Sequence, residues 1–152
     1  MKNLLIYINP RHDFGVEEKL TAKIQIDNSL ELGWKREDIL LVTNFPFEYN
    51  GVKSLLIGDD NFNSFDPLST KTYAIPSLFE QKLIEKREIY WAHDFDVFQN
   101  VPITQSEMEM EMVDANIGLT DKGRMPRWNG GSIFFRESAK DIFNLAKEIM
   151  DQ

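Results

Sequence analysis

Short apolar runs that alternate with helical patterns restrict most strongly how this chain can fold. Residues 4–8 are an apolar strand pattern that stops at Asn9-Pro10, and residues 17–32 carry a helical pattern that ends before Gly33. Glycine at that place is typical of a helix end in the left-handed conformation. Further strands are predicted at residues 39–43, 54–57, 89–97 and 131–136. This alternation predicts an α/β fold with a mainly parallel central sheet flanked by helices.

The remaining segments are assigned from local signals. Pro76 predicts the first residue of a helix that runs to residue 86, and an apolar stripe predicts a final helix over residues 139–150. Residues 58–69 are polar and predict a loop. Residues 107–112 alternate Glu and Met, which indicates a half-exposed strand or an irregular surface segment with packed methionines.

The chain has 152 residues, which is enough for one domain with its own core. We therefore expect residues 1–152 to form a single domain, either alone or within a longer protein. The sequence contains no Cys, so disulfides and thiolate metal ligands are excluded. Its apolar runs are too short to span a membrane, and its first residues do not resemble a secretory leader. We therefore expect no transmembrane segment and a cytoplasmic location.

The net charge of −8 argues against a nucleic-acid partner, because such proteins usually carry a basic patch. The densest basic cluster, Lys82, Lys86 and Arg87, is interrupted by Glu85. An acidic protein can still bind a small polyanion when a metal ion lies between them. A metal-bound phosphate ligand therefore fits this composition better than DNA or RNA.

Two carboxylates follow an apolar run that is predicted to be a strand. In a strand, side chains alternate between faces, so Asp94 and Asp96 point the same way while Phe95 packs on the other side. Carboxylate oxygens are preferred ligands of Mg²⁺ and Mn²⁺. Such an ion suits the binding of a diphosphate and its departure as a leaving group. The neighbouring His93 points away from Asp94 by the same alternation and is expected to be a packed histidine.

A second candidate segment precedes the last predicted strand. Paired Gly130 and Gly131 let the backbone approach a ligand closely. Trp128 can stack on a sugar face, and Asn129 can bond to hydroxyl groups. Arg124 and Arg127 can meet phosphate oxygens.

The loop after the first strand is the third candidate. Ligands of α/β sheets bind beyond the carboxyl ends of strands, so residues 9–14 are expected to line the base and ribose of a nucleotide. Asn9, Arg11 and Phe14 are the residues assigned to this role. A dinucleotide or P-loop site is disfavoured, because neither glycine signature is present.

The segments Tyr90-Trp91-Ala92-His93-Asp94-Phe95-Asp96-Val97-Phe98 and Trp128-Asn129-Gly130-Gly131-Ser132-Ile133-Phe134-Phe135 together resemble the GT-A glycosyltransferases. The resemblance implies a single GT-A-like, Rossmann-like domain that binds a nucleotide sugar. It also implies that Asp96 binds the metal directly and that Asp94 contacts ribose, sugar or metal-bound water. The chain is short for that family, and no residue matches the C-terminal metal ligand of many members.

The resemblance implies a metal-dependent glycosyltransferase that uses Mn²⁺ or Mg²⁺ and a nucleotide-diphosphate sugar, with UDP as the expected nucleotide. Asp94 and Asp96 would be its catalytic residues, and a carbohydrate or other hydroxyl compound its acceptor. A general base is open among Glu111, Asp114 and Asp121. Two alternatives stay open: a non-catalytic module that binds nucleotide sugars or carbohydrate, and an Asp-x-Asp phosphohydrolase.

Overall fold

A seven-stranded mixed sheet forms the centre of the structure. The computed structural model describes residues 1–64, 66, 69–121 and 128–152, and of residues 121 and 128 it describes the backbone alone. The strands are β1 (Lys2–Tyr7), β2 (Ile39–Thr43), β3 (Glu48–Tyr49), β4 (Val52–Leu56), β5 (Tyr90–His93), β6 (Ile117–Asp121) and β7 (Trp128–Phe135). The helices are α1 (Val16–Glu31), α2 (Thr70–Glu80), α3 (Gln105–Met112) and α4 (Lys140–Met150).

The strands lie in the order β3-β4-β2-β1-β5-β7-β6. The four neighbouring strands β4, β2, β1 and β5 are parallel, as predicted. The outer pairings β3–β4, β5–β7 and β6–β7 are antiparallel. The prediction of a mainly parallel sheet was therefore right for the centre and wrong for the edges. Two of these pairings follow from short connections, which join β3 to β4 and β6 to β7, because antiparallel strands need no crossover helix.

Strand β1 separates the two halves of the core. Leu4 and Leu5 are both fully buried, and their side chains point to opposite faces of the sheet. Leu5 packs in a cluster with Ala22 and Ile26 of α1. Leu4 packs on the other face in a cluster that includes side chains from α2 and Phe143 of α4. Helices therefore cover both faces of the parallel strands, as in other α/β proteins.

Several local predictions are confirmed. Strand β2 and the final helix lie where the pattern placed them, and α1 ends at Glu31. Gly33 adopts a φ of +92°, and its amide donates to the carbonyl of Leu30 at 3.1 Å. The next amide, of Trp34, donates to the carbonyl of Ser29 at 3.0 Å. These two bonds satisfy carbonyls at the helix end, which is the reason for glycine at this position.

The predicted helix at residues 76–86 is wrong in both bounds. Helix α2 begins at Thr70, so Pro76 lies inside it and not at its first position. Proline lacks an amide hydrogen and cannot donate to the carbonyl of Thr72. The helix persists because Ala74, Ile75, Pro76, Leu78 and Phe79 are all buried on one side of it. Tertiary packing thus offsets the loss of one hydrogen bond.

The Glu-Met repeat forms a helix, α3, and the predicted strand or irregular segment is wrong. Thr104 accepts a hydrogen bond from the amide of Glu107, and the Glu107 carboxylate accepts one from the amide of Thr104. This reciprocal arrangement stabilises the start of a helix. The Thr-x-x-Glu spacing was present in the sequence, but the period-2 alternation concealed it.

The central position of β1 predicts a large effect of truncating its buried side chains. Leu5→Ala should lower the free energy of unfolding by about 2–5 kcal/mol, because it leaves a cavity between β1 and α1. Leu56→Ala is the matched control, since Leu56 is 54% exposed on β4. Leu56→Ala should lower the free energy of unfolding by less than about 1 kcal/mol. Urea unfolding of both variants measures the difference, and equal losses would contradict this packing.

Candidate functional site

A cleft of about 970 Å³ opens at the carboxyl ends of β1 and β5. Chain connections leave β1 toward β2 on one side, whereas β5 pairs with β1 on the other, so the strand order reverses here. Such a reversal separates the loops that follow the two strands and creates a crevice for a ligand. Asn9 follows β1, Asp94 and Asp96 follow β5, and all three line the cleft.

The Asp-x-Asp segment forms a turn and not the end of a strand. Strand β5 ends at His93, and the amide of Val97 donates to the carbonyl of Asp94 at 3.1 Å. The strand predicted over residues 89–97 is therefore too long. Both carboxylates nevertheless line the same cleft, as predicted. Phe95, between them, stacks on Tyr7 at a ring distance of 5.8 Å.

Lys71 at the start of α2 holds Asp94 in place. Its ammonium group lies 2.6 Å from Oδ1 of Asp94 and donates to the carbonyl oxygen of Gly130 at 2.7 Å. The lysine side chain is only 14% exposed, whereas that of Asp94 is 49% exposed. These contacts join α2, the turn after β5 and β7 at one point of the cleft. Within the described part of the chain, the Asp96 carboxylate has no hydrogen-bond or ion-pair partner.

Gly131 allows the Asp94 carboxylate to approach the backbone of β7. A Cβ atom at Gly131 would lie 2.7 Å from Oδ2 of Asp94 and 3.1 Å from Oδ1 of Asn129. The amide of Asp94 also donates to the Gly131 carbonyl at 2.8 Å. The close approach expected of the paired glycines is therefore made by a side chain of this protein.

The other predicted site residues differ in their surroundings. Gly130 lines the cleft with Gly131, whereas Asn129 does not line it and accepts the amide of Gly131 at 3.0 Å. Arg124 and Arg127 lie outside the described residues, as does the side chain of Trp128. No contact is assigned to them here.

The loop after β1 is built by its own side chains. The Asn9 amide group donates to the carbonyl of Asp13 at 2.7 Å, and its Oδ1 accepts the amide of Arg11 at 3.1 Å. Phe14 is buried and stacks on Tyr7 at 4.8 Å, behind the surface of the cleft. Arg11 does not line the cleft. The loop therefore borders the cleft mainly through Asn9, with Phe14 as support.

Helices α1 and α2 contribute residues that the sequence reasoning missed. From α1, Glu17, Glu18 and Thr21 line the cleft. From the start of α2 and the residue before it, Ser69, Thr70, Lys71 and Thr72 do so. Ser69-Thr70 is a usual helix-start signal, but Pro76 placed the helix start too late. The buried hydroxyl of Thr70 has no hydrogen-bond partner among the described residues.

The part of the cleft lining that the structure describes is acidic. Among its described lining residues, four are carboxylates (Glu17, Glu18, Asp94 and Asp96) and one, Lys71, is basic. Such a surface repels a free polyanion and attracts a cation. Glu111 and Asp114, two of the expected general bases, do not line this cleft, and the side chain of Asp121 is not described.

The donor set suits a cation whose coordination is completed by a ligand. No group of three or more His, Cys, Asp or Glu side chains that could hold a metal occurs within residues the structure describes. Mg²⁺ is commonly bound through one or two carboxylates together with substrate phosphates. The two aspartates of the turn fit that arrangement, although Asp94 would share its carboxylate with Lys71.

His93 lies beneath the site as a buried, packed residue, as expected. Its Nε2 atom is 2.8 Å from Oδ1 of Asn3, and its ring stacks on Trp91 at 3.9 Å. Burial is the main reason that its pKa falls from 6.5 to about 4, and the nearby Lys71 charge lowers it further. Nδ1 of the ring lies 3.0 Å from the carbonyl oxygen of Asp94, and a neutral imidazole has one N–H to donate either to this carbonyl or to Asn3.

The fold has a counterpart among solved structures. The chain superimposes on the crystal structure of mouse xyloside xylosyltransferase 1 in its apo form with a TM-score of 0.53 and 11% sequence identity. The match covers 97% of this chain and 70% of that one. At this identity the likeness shows a shared fold alone. No protein-family model matches the sequence, and no curated protein resembles it.

The structure also bears on membrane association. In the described ranges, every helix is too short or too polar to cross a bilayer.

The contact between Gly131 and Asp94 predicts a local effect of adding one methyl group. Gly131→Ala should displace the Asp94 carboxylate and weaken its contact with Lys71, because no space exists for a Cβ atom. Gly130→Ala is the matched control, since none of the described residues lies within 4 Å of its Cβ position. Crystal structures of both variants measure the Lys71–Asp94 distance. An unchanged distance in Gly131→Ala would contradict the proposed steric role.

The buried His93 predicts a dependence of stability on pH. The native state binds fewer protons than the unfolded state between pH 6.5 and about 4, so stability is full above this window and falls with acidification through it. The loss should reach up to about 3 kcal/mol. His93→Gln should flatten this slope, and the same change at the exposed His12 should leave it in place. Urea unfolding at several pH values measures the slopes; identical profiles for both variants would contradict the assignment.

Proposed function

We propose that this chain is a glycosyltransferase that takes a sugar from a nucleotide-diphosphate sugar, with UDP as nucleotide, and moves it to an acceptor hydroxyl. The observation that carries the proposal is the convergence of Asp94, Asp96 and the Gly130-Gly131 backbone on one cleft at the strand-order reversal. The resemblance of the two motifs to GT-A enzymes and the shared fold with a xylosyltransferase support it. The parallel strand order is also compatible with a GT-A-like, Rossmann-like layout.

Asp96 and Asp94 are the residues proposed to hold a divalent cation, Mn²⁺ or Mg²⁺. When bound, such an ion neutralises the charge of the leaving diphosphate. The described lining of the cleft supports a role for the metal ion, because its four carboxylates and one lysine would by themselves repel a diphosphate. Asp96 is the stronger candidate for direct contact, since Lys71 already occupies Oδ1 of Asp94.

The walls of the cleft offer separate surfaces for the parts of a nucleotide sugar. Ile6, Tyr7, Ile8 and Phe62 present apolar surface on the side of β1, where the base would lie beside Asn9. Lys71 presents a cation beside Asp94, where hydroxyl or phosphate oxygens would lie. Gly130 and Gly131 border the same region, with the acceptor expected beyond them. Arg11, Phe14, Arg127, Trp128 and Asn129 stay predictions as ligand contacts.

Glu17 and Glu18 are the carboxylates of the described cleft lining that do not belong to the motif. A transferase that inverts configuration needs a carboxylate to accept the proton of the acceptor hydroxyl. These two residues therefore replace Glu111 and Asp114 as candidates for that base. We propose no stereochemical outcome from this arrangement.

A non-catalytic module that binds nucleotide sugars is the second candidate. It is favoured by one observation, namely that the described residues hold no third metal-ligating side chain beside the pair. Binding of a UDP-sugar without sugar transfer or hydrolysis would select this alternative. Release of inorganic phosphate from a phosphomonoester would instead select the phosphohydrolase.

The proposal predicts that donor binding depends on metal and on Asp96. Calorimetry should show UDP binding with Mn²⁺ and little binding with a chelator, because the cleft itself is acidic. Asp96→Asn should lower the rate of sugar transfer by roughly 10²-fold or more, in the range of losing a strong electrostatic contact. A panel of UDP-sugars serves as donor substrates, and both sugar transfer and donor hydrolysis are measured.

Asp141→Asn is the control for the loss of one negative charge, since Asp141 is exposed in the first turn of α4 and does not line the cleft. It should bind and turn over like the wild type. Equal UDP affinity with and without Mn²⁺ would refute the metal role. Wild-type turnover by Asp96→Asn would refute the role of that carboxylate.

A further inference from the structure

A buried amide on α1 holds the turn that carries both aspartates. Gln25 is 1% exposed, and its Nε2 atom donates to the carbonyl oxygens of Phe95 at 2.7 Å and Val97 at 2.9 Å. These two carbonyls belong to the residues on either side of Asp96. One amide group thus bonds to the backbone immediately before and immediately after the proposed metal ligand.

The rest of the segment is tied to the same region. Asn28 of α1 donates to the carbonyl of Gln99 at 3.2 Å, and the indole of Trp34 donates to the Gln99 side chain at 2.7 Å. At its beginning the turn is tied to β7 through the amide of Asp94. Between these two anchors, Gln25 contacts the carbonyls on both sides of Asp96, and Nδ1 of His93 lies 3.0 Å from the carbonyl oxygen of Asp94.

The buried face of α1 contains polar as well as apolar side chains. Gln25 and Ser29 are buried beside the apolar Ala22 and Ile26 of the same helix, whereas Val16, Leu20 and Ile24 are exposed. A helix placed only for packing would bury its apolar residues and expose its polar ones. Gln25 satisfies two carbonyl groups of the turn, whereas Ser29 bonds to Asn3 and to the Gln25 carbonyl of its own helix.

We propose that Gln25 is a positioning residue that fixes the Asp94–Asp96 turn, so that the two carboxylates face the cleft before a ligand binds. The primary amide suits this task because it carries two N–H donors on one nitrogen, one for each carbonyl. Glutamate offers no such pair, and methionine offers no donor. The fixed turn also couples the aspartates to Glu17 and Thr21, which line the cleft from the same helix. The role in ligand binding rests on the proposed function, whereas the role in fixing the turn does not.

Hydrogen–deuterium exchange tests the positioning role without any assay of activity. Gln25→Met keeps the length of the side chain and removes both donors. Peptides that cover residues 94–99 should exchange about tenfold faster or more in this variant, because local opening of the turn becomes easier. Val52→Ala is the control for a general loss of stability, since Val52 is buried on β4 and packs in the cluster on the α1 face of the sheet. When each protein is measured the same number of degrees below its own melting temperature, Val52→Ala should leave the exchange of residues 94–99 unchanged.

Calorimetry of UDP with Mn²⁺ provides the second readout. Gln25→Met should weaken this binding about tenfold, and Val52→Ala should not. Unchanged exchange of residues 94–99 in folded Gln25→Met overturns the positioning role. Faster exchange with unchanged binding overturns its contribution to the site and leaves only a structural bond.

Failure of the proposed function can be told apart from failure of this inference. If the wild type binds no UDP with Mn²⁺, the proposed function fails, while the exchange measurement still decides whether Gln25 fixes the turn. If Gln25→Met does not fold, Gln25→Glu replaces it, because it keeps the shape and removes the paired donors. The same two measurements then apply with the same expectations.

Discussion

Strand β1 supports most of the structure, because it is buried on both faces and hydrogen-bonded on both sides. Its neighbours are β2 and β5, both parallel to it. Leu4 and Leu5 direct the two halves of the core to opposite faces. The chain turns from β1 to β2 in one direction and reaches β5 only after β4 and α2. The cleft at the ends of β1 and β5 is a geometric result of that order.

The cleft combines residues from distant parts of the chain through a small number of polar contacts. Lys71 connects the start of α2 to Asp94 and to the backbone of β7. Gln25 connects α1 to the backbone around Asp96. Each aspartate is thus held by a different helix, on opposite faces of the sheet. Because the turn is already held from both sides, binding a ligand costs little conformational entropy, which is the physical meaning of preorganisation.

The charge of the cleft limits what it can bind. An acidic lining with one lysine favours a cation, and through the cation an anionic ligand. The charges of the described lining alone disfavour a metal-free diphosphate. The likeness to a xylosyltransferase adds a shared fold to this chemistry, and fold by itself does not establish a reaction. The proposed glycosyl transfer therefore depends on the aspartates and on the metal requirement.

Local patterns in the sequence determined the α/β class, the first two strands, the ends of α1 and α4 and the pair of carboxylates after β5. These features follow from side-chain periodicity and from glycine chemistry within a few residues, so the sequence alone reveals them. Tertiary structure decided the antiparallel edges, the start of α2 before Pro76 and the helix at the Glu-Met repeat. It also decided which distant polar groups meet, since Lys71 and Gln25 lie 23 and 70 residues from their partners Asp94 and Phe95. Packing brings such groups together through the order of strands in the sheet, and no local pattern records that order.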